Sequence, residues 1–419
     1  MKILWITNIL FPEAESRLTK SEGLKSSGGW MLGAADALVR NEEVSLYVAA
    51  VSPLVDELVR LKGERMSYYV LPLGKGNLKV NQDYQHYWRI INSEIRPDVV
   101  HIHGTEYSHG HAYMKACGSE NVVISIQGIK SVCSDYYHYG ISRSDIYKNI
   151  TLRDLLRGTI IQRQKDFRKS SEYEMEMLKM SRHIIGRTSW DKAHVWSVNP
   201  DANYYFCNET LRPEFYEGHV WDYHKCKKHS IFLSQAEYPI KGLHQVLKAL
   251  PFVLRSFPDT VVRVAGNNII AKDSVIQSLK LTGYGKYLRR LIKKCGLIAH
   301  VEFTGSLDAI QMRQEYLDSN VFVCPSSIEN SPNSLAEAQV LGVPCISSYV
   351  GGTMDMMQGN EDNLYRFEEV EMLAYKICAV FADEDRQTDM RDVALRRHDP
   401  ATNSERLLNI YRYIVNATI

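Results

Sequence analysis

The chain has 419 residues, more than one ordinary hydrophobic core holds, so we expect two domains. Its 50 basic and 49 acidic side chains leave a net charge of +1, which excludes a chain-wide field that would attract nucleic acid or an anionic membrane. The eight cysteines are scattered without a C-x-x-C pair, as expected for buried thiols in a reducing cytoplasm. No apolar run in the sequence reaches the roughly 18 residues of a membrane span.

Short β-branched or aromatic runs alternate with amphipathic stretches along the chain. The first run, KILWIT, has no small-residue cleavage site after it and predicts a strand, not a signal peptide. Further strands are predicted, in chain order, at VSLYVAA, YYVLPL, DVVHIHG, NVVISIQG, HSIFLSQ, TVVRVAG, VEFTG, VFVCPSS and VPCISS. Continuous apolar strands between helices are typical of parallel sheets covered on both faces, so we expect two α/β domains in tandem, with roughly five strands each.

The boundary between these domains is indicated by a change in composition. A helical tract rich in Arg, Lys, Glu and Met is predicted at about 150 to 182. The segment after it mixes polar, proline and aromatic residues, which is typical of a domain connection. We therefore place the first domain at 1–216 and the second at 217–402, with an amphipathic helix after Pro400.

Two glutamates stand in the stretch SSIENSPNSLAEAQVLGVPCISSYVGG, which follows a predicted strand. We expect Ser331 to cap a helix whose first residue is Pro332 and which Gly342 ends. Glu329 then precedes the helix and Glu337 lies inside it, so a close acid/base pair is not expected. The N–H groups at the helix start suit a phosphate, although a proline contributes none. The alternative to binding one extended ligand is a solvated Glu329 and an ion-paired Glu337.

This stretch resembles the signature of family 4 (group 1) retaining glycosyltransferases, which use nucleotide sugars and have the GT-B fold. The matching positions are Glu329, Glu337, Ala338, Gly342, Pro344, Gly351 and Gly352. The resemblance extends to YPIKGLHQVLKAL, VVRVAGNN, VEFTGSL and PDVVHIHG. It implies two Rossmann-like, doubly wound parallel-sheet domains that face each other across a cleft, the first binding the acceptor and the second the donor. Residues 403–419 would pack back on the first domain.

The resemblance also implies roles for single residues. In that family, the residue matching Glu337 binds the ribose of the nucleotide, and the residue matching Glu329 faces the transferred sugar. Lys241 would meet the diphosphate and stabilise the leaving group; an exposed lysine in a first helical turn is the alternative. The other donor-binding positions in the second domain are Gln235, Gly266, Leu307, Asn330, Ser331, Asn333 and Ser334.

Two positions of the first half are included in the expected site. Gly28 and Gly29 precede a predicted helix, and the resemblance places their loop against the donor diphosphate. His103, at the end of a predicted strand, would lie near the donor sugar as the third catalytic residue beside Glu329 and Lys241. A simple turn and a neutral structural histidine are the alternatives.

The chain departs from the family pattern at two strand ends. Where the family has an arginine after a glycine, this chain has Ser234 and Gln235, and where the family has a His-Gly pair it has Gln127 and Gly128. Amide and hydroxyl groups hydrogen-bond a phosphate but neutralise no charge. Either another cation substitutes, or the leaving group is stabilised less.

No metal or other cofactor is expected. The resemblance implies a front-face reaction through an oxocarbenium-like state, in which a donor phosphate oxygen helps to take the acceptor's proton. The D-x-D at Asp383 and Asp385 is interpreted as solvated charge on a surface helix. The HKCKKH run offers three metal ligands without a partner C-x-x-C.

Two clusters of basic residues are candidate contacts for an anionic partner. The clusters are Arg153, Arg157, Arg163, Lys165, Arg168 and Lys169, and Lys286, Arg289, Arg290, Lys293 and Lys294. Solvated helix faces are the ordinary interpretation. Because acceptors of such enzymes are often lipid-linked, contact of the first cluster with anionic lipid or a lipid diphosphate is the alternative.

The sequence as a whole predicts a cytoplasmic hexosyltransferase that uses a nucleotide diphosphate sugar, expected to be UDP-linked, and a glycan or glycolipid acceptor in polysaccharide or glycoconjugate biosynthesis. Peripheral contact with the inner face of the membrane is the alternative to a cytoplasmic protein without membrane contact, and a nucleic acid partner is not expected. A sugar-nucleotide epimerase of the same fold and a non-catalytic GT-B partner subunit are the alternatives. A dinucleotide-dependent dehydrogenase is disfavoured, because no predicted strand ends in G-x-G-x-x-G.

Overall fold

A computed structural model describes residues 1–20, 29–73, 80–271, 274–384 and 390–418. The chain divides into two compact units. The first comprises Met1–Ser131, Lys169–Arg212 and His398–Ile419, and the second comprises Val132–Arg168 and Pro213–Arg397. Within the described ranges, no helix combines the length and the apolar character needed to cross a bilayer.

Each unit is built on one sheet. The strands are β1 (Lys2–Thr7), β2 (Ser45–Ser52), β3 (Val59–Lys62), β4 (Ser67–Pro72), β5 (Val99–His103), β6 (Val122–Ser125), β7 (His183–Gly186), β8 (Asn203–Phe206), β9 (Lys227–Leu233), β10 (Val261–Ala265), β11 (Val301–Gly305), β12 (Ser319–Cys324), β13 (Cys345–Ser348) and β14 (Leu364–Tyr365). The strand orders are β3-β4-β2-β1-β5-β6-β7-β8 in the first unit and β11-β10-β9-β12-β13-β14 in the second. Neighbouring strands are parallel except β3, which is antiparallel to β4.

Helices connect these strands. They are α1 (Pro12–Thr19), α2 (Gly29–Val39), α3 (Val80–Ile95), α4 (Ser108–Cys117), α5 (Lys130–Cys133), α6 (Arg143–Lys148), α7 (Leu152–Arg157), α8 (Ile160–Met180), α9 (Ser189–Val198), α10 (Leu243–Val253), α11 (Val275–Lys280), α12 (Gly283–Lys294), α13 (Ala309–Asp318), α14 (Asn333–Leu341), α15 (Thr353–Met356), α16 (Val370–Ala382), α17 (Met390–Arg397) and α18 (Pro400–Thr418). Short 3-10 helices lie at Ser134–Tyr136, Pro213–Phe215, Pro239–Lys241, Ile298–His300 and Glu361–Asn363.

The first sheet is covered on both faces. Successive residues of β1 point to opposite faces, so Ile3 and Trp5 join one hydrophobic core while Leu4 and Ile6 join the other. The C-terminal helix α18 contributes to the first of these cores, where the Trp5 indole donates a hydrogen bond of 3.0 Å to the Tyr411 hydroxyl. The expected α/β fold of two parallel-sheet units, with the C-terminal helix returning to the first, is confirmed.

The domain boundaries expected from the sequence differ from the structure at segment 132–168. This segment was expected in the first domain and belongs to the second unit. Its buried side chains Tyr137, Ile141, Ile146 and Ile160 are part of that unit's hydrophobic core. Burying these apolar surfaces there is favourable by roughly 1.5–3 kcal/mol for each large side chain. The change in composition after residue 182 had assigned the segment to the first domain.

Candidate functional site

The carboxyl ends of β9 and β12 bring together two of the predicted catalytic residues. Lys241 ends the 3-10 helix Pro239–Lys241 after β9, and Glu329 lies in the loop between β12 and α14. Lys241 Nζ lies 2.6 Å from Glu329 Oε1, and the two side chains are 28% and 14% exposed. Ser326 Oγ donates to the same carboxylate oxygen at 2.7 Å. The two residues therefore form one ion pair, and Glu329 is not the solvated residue of the alternative interpretation.

This pair fixes the charge of Lys241. Burial alone would lower the pKa of Lys241, but the nearby Glu329 carboxylate outweighs burial, and the pKa is raised. Lys241 is thus a persistent cation at the edge of the sheet. An anionic ligand that reaches Lys241 would share it with Glu329.

Two glycines let the loops of the site approach one another. Gly242 has a φ of +72°, and a Cβ at this position would overlap the carbonyl oxygen of Pro325. Gly351 has a φ of +53°, and a Cβ there would overlap the carbonyl oxygen of Glu329. That same oxygen accepts a hydrogen bond of 3.0 Å from the Gly352 N–H. The loops after β9, β12 and β13 meet because these positions lack side chains.

The start of α14 differs from the expectation. Pro332, with φ −70° and ψ 117°, occupies the N-cap position, and Asn333 is the first helical residue. The prediction that Ser331 is the cap is wrong, because its hydroxyl donates to the Met356 sulfur at 3.5 Å instead. The missing N–H of the proline therefore falls on the cap and not inside the first turn. Gly342 ends the helix in the left-handed conformation, as predicted.

Glu337 lies inside α14, as predicted, and is 7% exposed. Its Oε2 accepts a hydrogen bond of 3.4 Å from the Tyr316 hydroxyl. The single hydrogen of that hydroxyl is shared with the Ser334 carbonyl, which is the closer acceptor at 2.9 Å. Tyr316 is fully buried, so it links the carboxylate to the first turn of the helix and limits its movement.

The remaining predicted donor positions lie along the same edge of the second sheet. Asn330 and Ser331 are buried, and Asn333 and Ser334 open α14. Gln235 is exposed just beyond β9, and half-buried Leu307 precedes α13. Gly266 follows β10 with a φ of +101°, and its N–H donates to the Gly305 carbonyl at 2.9 Å. The second unit thus gathers its predicted residues at the ends of β9, β10, β11 and β12.

His103 lies in the first unit, at the end of β5, and is 3% exposed. Its ring stacks on His101, with 3.8 Å between ring centroids, and packs edgewise on Trp5 at 4.3 Å. Burial lowers the pKa of His103 to about 3, so the ring is neutral. Neither ring nitrogen has a hydrogen-bond partner among the described residues, and the ring lines a cavity of about 40 Å³, enough for about one water molecule.

The glycine pair of the first unit is only partly described. Gly28 lies outside the described residues. Gly29 is the first residue of α2, and a Cβ there would lie 2.7 Å from Arg212 Cγ. A side chain at 29 would therefore have to displace that of Arg212.

A buried ion pair in the cavity of His103 was not predicted from the sequence. Arg187 and Glu209 both line it, their closest atoms are 2.5 Å apart, and their side chains are 4% and 8% exposed. Arg187 Nη2 also donates to the carbonyls of Ile126 at 2.8 Å and Gln127 at 3.3 Å. Arg187 follows directly on Gly186, the last residue of β7, and a Gly-Arg pair at a strand end was the available signal.

A carboxylate beyond β5 has an unusual environment. Burial raises the pKa of Glu106 to about 7, nearby Glu174 acts in the same direction, and Lys130 opposes the shift. Glu174 itself accepts hydrogen bonds from the Lys130 N–H at 2.9 Å, the Ser131 N–H at 3.1 Å and the Thr105 hydroxyl at 3.0 Å. Two carboxylates therefore lie together beneath the loops that follow β5 and β6.

This environment predicts a pH-dependent stability. Because the pKa of Glu106 is about 7 in the folded chain and 4.5 ordinarily, the folded state keeps a proton that the unfolded state has released between those pH values. Stability is therefore lost as pH rises from 4.5 to 7, by up to about 3 kcal/mol. In urea unfolding at pH 5 and pH 8, Glu106→Gln should lose this decrease, whereas Glu120→Gln, at an exposed position, should keep it. An equal pH response in wild type and Glu106→Gln would contradict the assignment.

Metal ligands are not grouped in the described part of the chain, where no three His, Cys, Asp or Glu side chains lie close enough to hold an ion. Asp383 ends α16, and Asp385 lies outside the described residues.

The region around this site matches known proteins. Residues 222–397 match the family model described as glycosyl transferases group 1. YtcC of Bacillus subtilis, a protein named for glycosyltransferase activity, is 23% identical over 347 residues, which cover 79% of this chain and 77% of YtcC. A GDP-mannose-dependent alpha-(1-6)-phosphatidylinositol monomannoside mannosyltransferase of Mycobacterium tuberculosis is 28% identical over 163 residues, which cover 36% of this chain and 38% of that enzyme.

The fold also has solved counterparts. The structure of Anabaena HepE in complex with UDP aligns with a TM-score of 0.60 and 14% identity over 98% of this chain and 99% of HepE. This likeness shows the GT-B fold of two Rossmann-like sheets. Residues 222–397, which include Lys241, Glu329 and Glu337, match the group 1 glycosyltransferase family, and this match and the names of the relatives indicate a glycosyltransferase.

Proposed function

We propose that the chain transfers a hexose, with retention and without a metal, from a nucleotide diphosphate sugar to a glycan or lipid-linked glycan. The observation that carries this proposal is the paired Lys241 and Glu329 beside the start of α14. A cation, a helix N-terminus and a buried carboxylate at one sheet edge suit the diphosphate, the sugar and the ribose of one extended donor.

Residues of the second unit would have separate roles in such a reaction. The bond from the anomeric carbon to the β-phosphate oxygen breaks, and Lys241 and the positive end of the α14 dipole stabilise the charge that develops on that oxygen. The acceptor hydroxyl forms the new bond to the anomeric carbon on the same face, and its proton passes to the departing phosphate. Glu337, held by Tyr316, would accept hydrogen bonds from the ribose hydroxyls.

His103 and Arg187 have separate roles in this proposal. The unpartnered nitrogens of neutral His103 suit a sugar hydroxyl, which both donates and accepts hydrogen bonds. Arg187 is held by Glu209 and by two backbone carbonyls, so it fixes the ends of β6 and β7 around that histidine.

A UDP-linked sugar remains the proposed donor. HepE, which was solved with UDP, shares the fold over nearly the whole chain. The GDP-mannose-dependent relative aligns over 36% of the chain, so GDP-mannose is included in the test below.

We also propose a lipid-linked acceptor and a cytoplasmic enzyme that contacts the membrane peripherally, and exposed leucines support the membrane contact. Leu152, Leu155 and Leu156 on α7 are 62%, 70% and 78% exposed. Arg153 and Arg157 are on the same helix. Apolar side chains beside basic ones are typical of a helix that lies on an anionic bilayer surface.

Calorimetric titration with UDP-hexoses and GDP-mannose tests the proposed function. One of these donors should bind, and Glu337→Ala should weaken its binding about tenfold to a hundredfold, because two hydrogen bonds to a charged group are lost. Glu371→Ala, at an exposed helical glutamate, is the matched control and should change nothing. Incubation with an acceptor should release nucleoside diphosphate, whereas an epimerase would release a different nucleotide sugar. Failure of every donor to bind the wild type would contradict the proposal.

A further inference from the structure

A second pocket lies beside the donor site in the second unit. It has a volume of about 600 Å³. Its lining includes Glu237 and Tyr238, which follow β9, and Asn267 and Asn268, which follow β10. The pocket therefore opens at the same sheet edge as Lys241, which is three residues beyond Tyr238 in the chain. A volume of this size accommodates a sugar phosphate or part of a nucleotide.

Positive charge predominates in this pocket. Arg153, Arg163 and Lys280 line it, against one carboxylate, Glu237, among the described lining residues. Glu237 Oε1 accepts a hydrogen bond of 2.8 Å from the Asn267 side chain. Across the described chain, neither arginine takes part in an ion pair.

The two arginines also repel each other. Burial lowers the pKa of Arg153, and the positive charges of Arg163 and Arg157 lower it further. Asp154 opposes this effect, but its carboxylate also belongs to the capping box of α7, where its Oδ2 accepts a hydrogen bond of 3.1 Å from the N–H of the N-cap residue Thr151. Like charges held close together are unfavourable, and a bound anion would relieve that repulsion.

The segment that carries the arginines is fastened to the second unit. Lys286 Nζ donates to the Ile150 carbonyl at 3.1 Å, just before α7. Ile160, which begins α8 three residues before Arg163, is buried in the core of that unit. The segment from which both arginines extend is therefore anchored to the unit that carries Lys241, which places both side chains at the pocket before a ligand binds.

We propose that Arg153 and Arg163 bind a phosphate group of a substrate in this pocket. They would supply the positive charge that the exposed Gln235 of the neighbouring loop cannot supply. Guanidinium groups suit this role because each presents a planar fork of donors that matches two phosphate oxygens. The inference rests on the proposed glycosyl transfer, and the phosphate belongs either to the nucleotide donor or to a lipid diphosphate acceptor.

Calorimetry with three probes tests this inference: inorganic pyrophosphate, UDP or GDP, and farnesyl diphosphate as a water-soluble lipid diphosphate. Arg153→Gln and Arg163→Gln should each weaken pyrophosphate binding about tenfold, the loss expected for one charge-assisted bidentate contact. Arg157→Gln removes the same charge from an exposed position of α7 that does not line the pocket, and it should weaken pyrophosphate binding much less than either of these variants. Arg163→Lys should bind pyrophosphate more tightly than Arg163→Gln, which separates lost charge from lost folding.

The probes identify the source of the phosphate. If the glutamine variants also bind the nucleotide about tenfold more weakly, the pocket takes a phosphate of the donor. If they lose affinity for farnesyl diphosphate and keep it for the nucleotide, the pocket takes that of the acceptor. The inference is wrong if pyrophosphate fails to bind the wild type, or if the variants match Arg157→Gln with every probe. A normal response of nucleotide binding to Glu337→Ala would then leave the proposed function standing.

Discussion

Replacing Lys241 by methionine should lower kcat by about three orders of magnitude. Methionine keeps most of the length of the side chain and removes the ammonium group that would stabilise the departing diphosphate. Loss of one preorganised group of this kind costs about 10²–10³ in kcat. The substitution also leaves Glu329, 14% exposed and 2.6 Å from the lost cation, as an uncompensated negative charge where the diphosphate should bind. Electrostatic repulsion therefore adds to the loss.

Steady-state kinetics with the donor identified by titration would measure this effect. Lys294→Met, at an exposed position of α12, removes the same charge elsewhere in the unit and should leave kcat unchanged. Glu329→Gln adds a second comparison. If Glu329 acts by holding Lys241, its replacement should lower kcat in the wild type, whereas in Lys241→Met it should raise kcat by removing the uncompensated charge. A kcat for Lys241→Met within threefold of wild type would contradict the leaving-group role.

The sequence predicted the fold well where strands are long and buried. All ten apolar runs chosen as strands lie in the two sheets. The strands that were missed, β3, β7, β8 and β14, have two to four residues each, too few to show a period. Segment 132–168 was assigned to the wrong domain because its partners, the core residues of the second unit, follow it in the chain and leave no local signal.

In the candidate site as well, features set by neighbouring residues were predicted, and contacts between residues far apart in the chain were not. Gly342 was predicted to end α14 because helix termination depends on nearby residues. The contact of Lys241 with Glu329 joins residues 88 positions apart, so no spacing rule could reveal it. Pro332 was placed one position too far into the helix. A φ near −70° suits both the cap and the first turn, and only the extended ψ of 117° distinguishes them.

Gly242→Ala should destabilise the second unit by about 4 kcal/mol, because it combines two costs. Alanine at a φ of +72° costs about 1–2 kcal/mol. The added Cβ would also overlap the Pro325 carbonyl oxygen, which belongs to backbone and cannot rotate away. To remove this overlap, the loop after β9 must move away from the loop after β12. That movement would pull Lys241 away from Glu329. Activity should therefore fall even at temperatures where the variant remains folded.

Gly296→Ala isolates the first of these costs, that of the backbone conformation. Gly296 has nearly the same φ, +69°, but a Cβ there would meet nothing within 4 Å. Urea unfolding should therefore show a loss of only about 1–2 kcal/mol for this variant, with unchanged kcat. If the two alanine variants unfolded at the same urea concentration, backbone conformation alone would explain both, and the close approach of the loops would not be what holds Lys241 in place. If Gly242→Ala loses more stability and also loses activity, the lysine depends on a contact that only glycine permits.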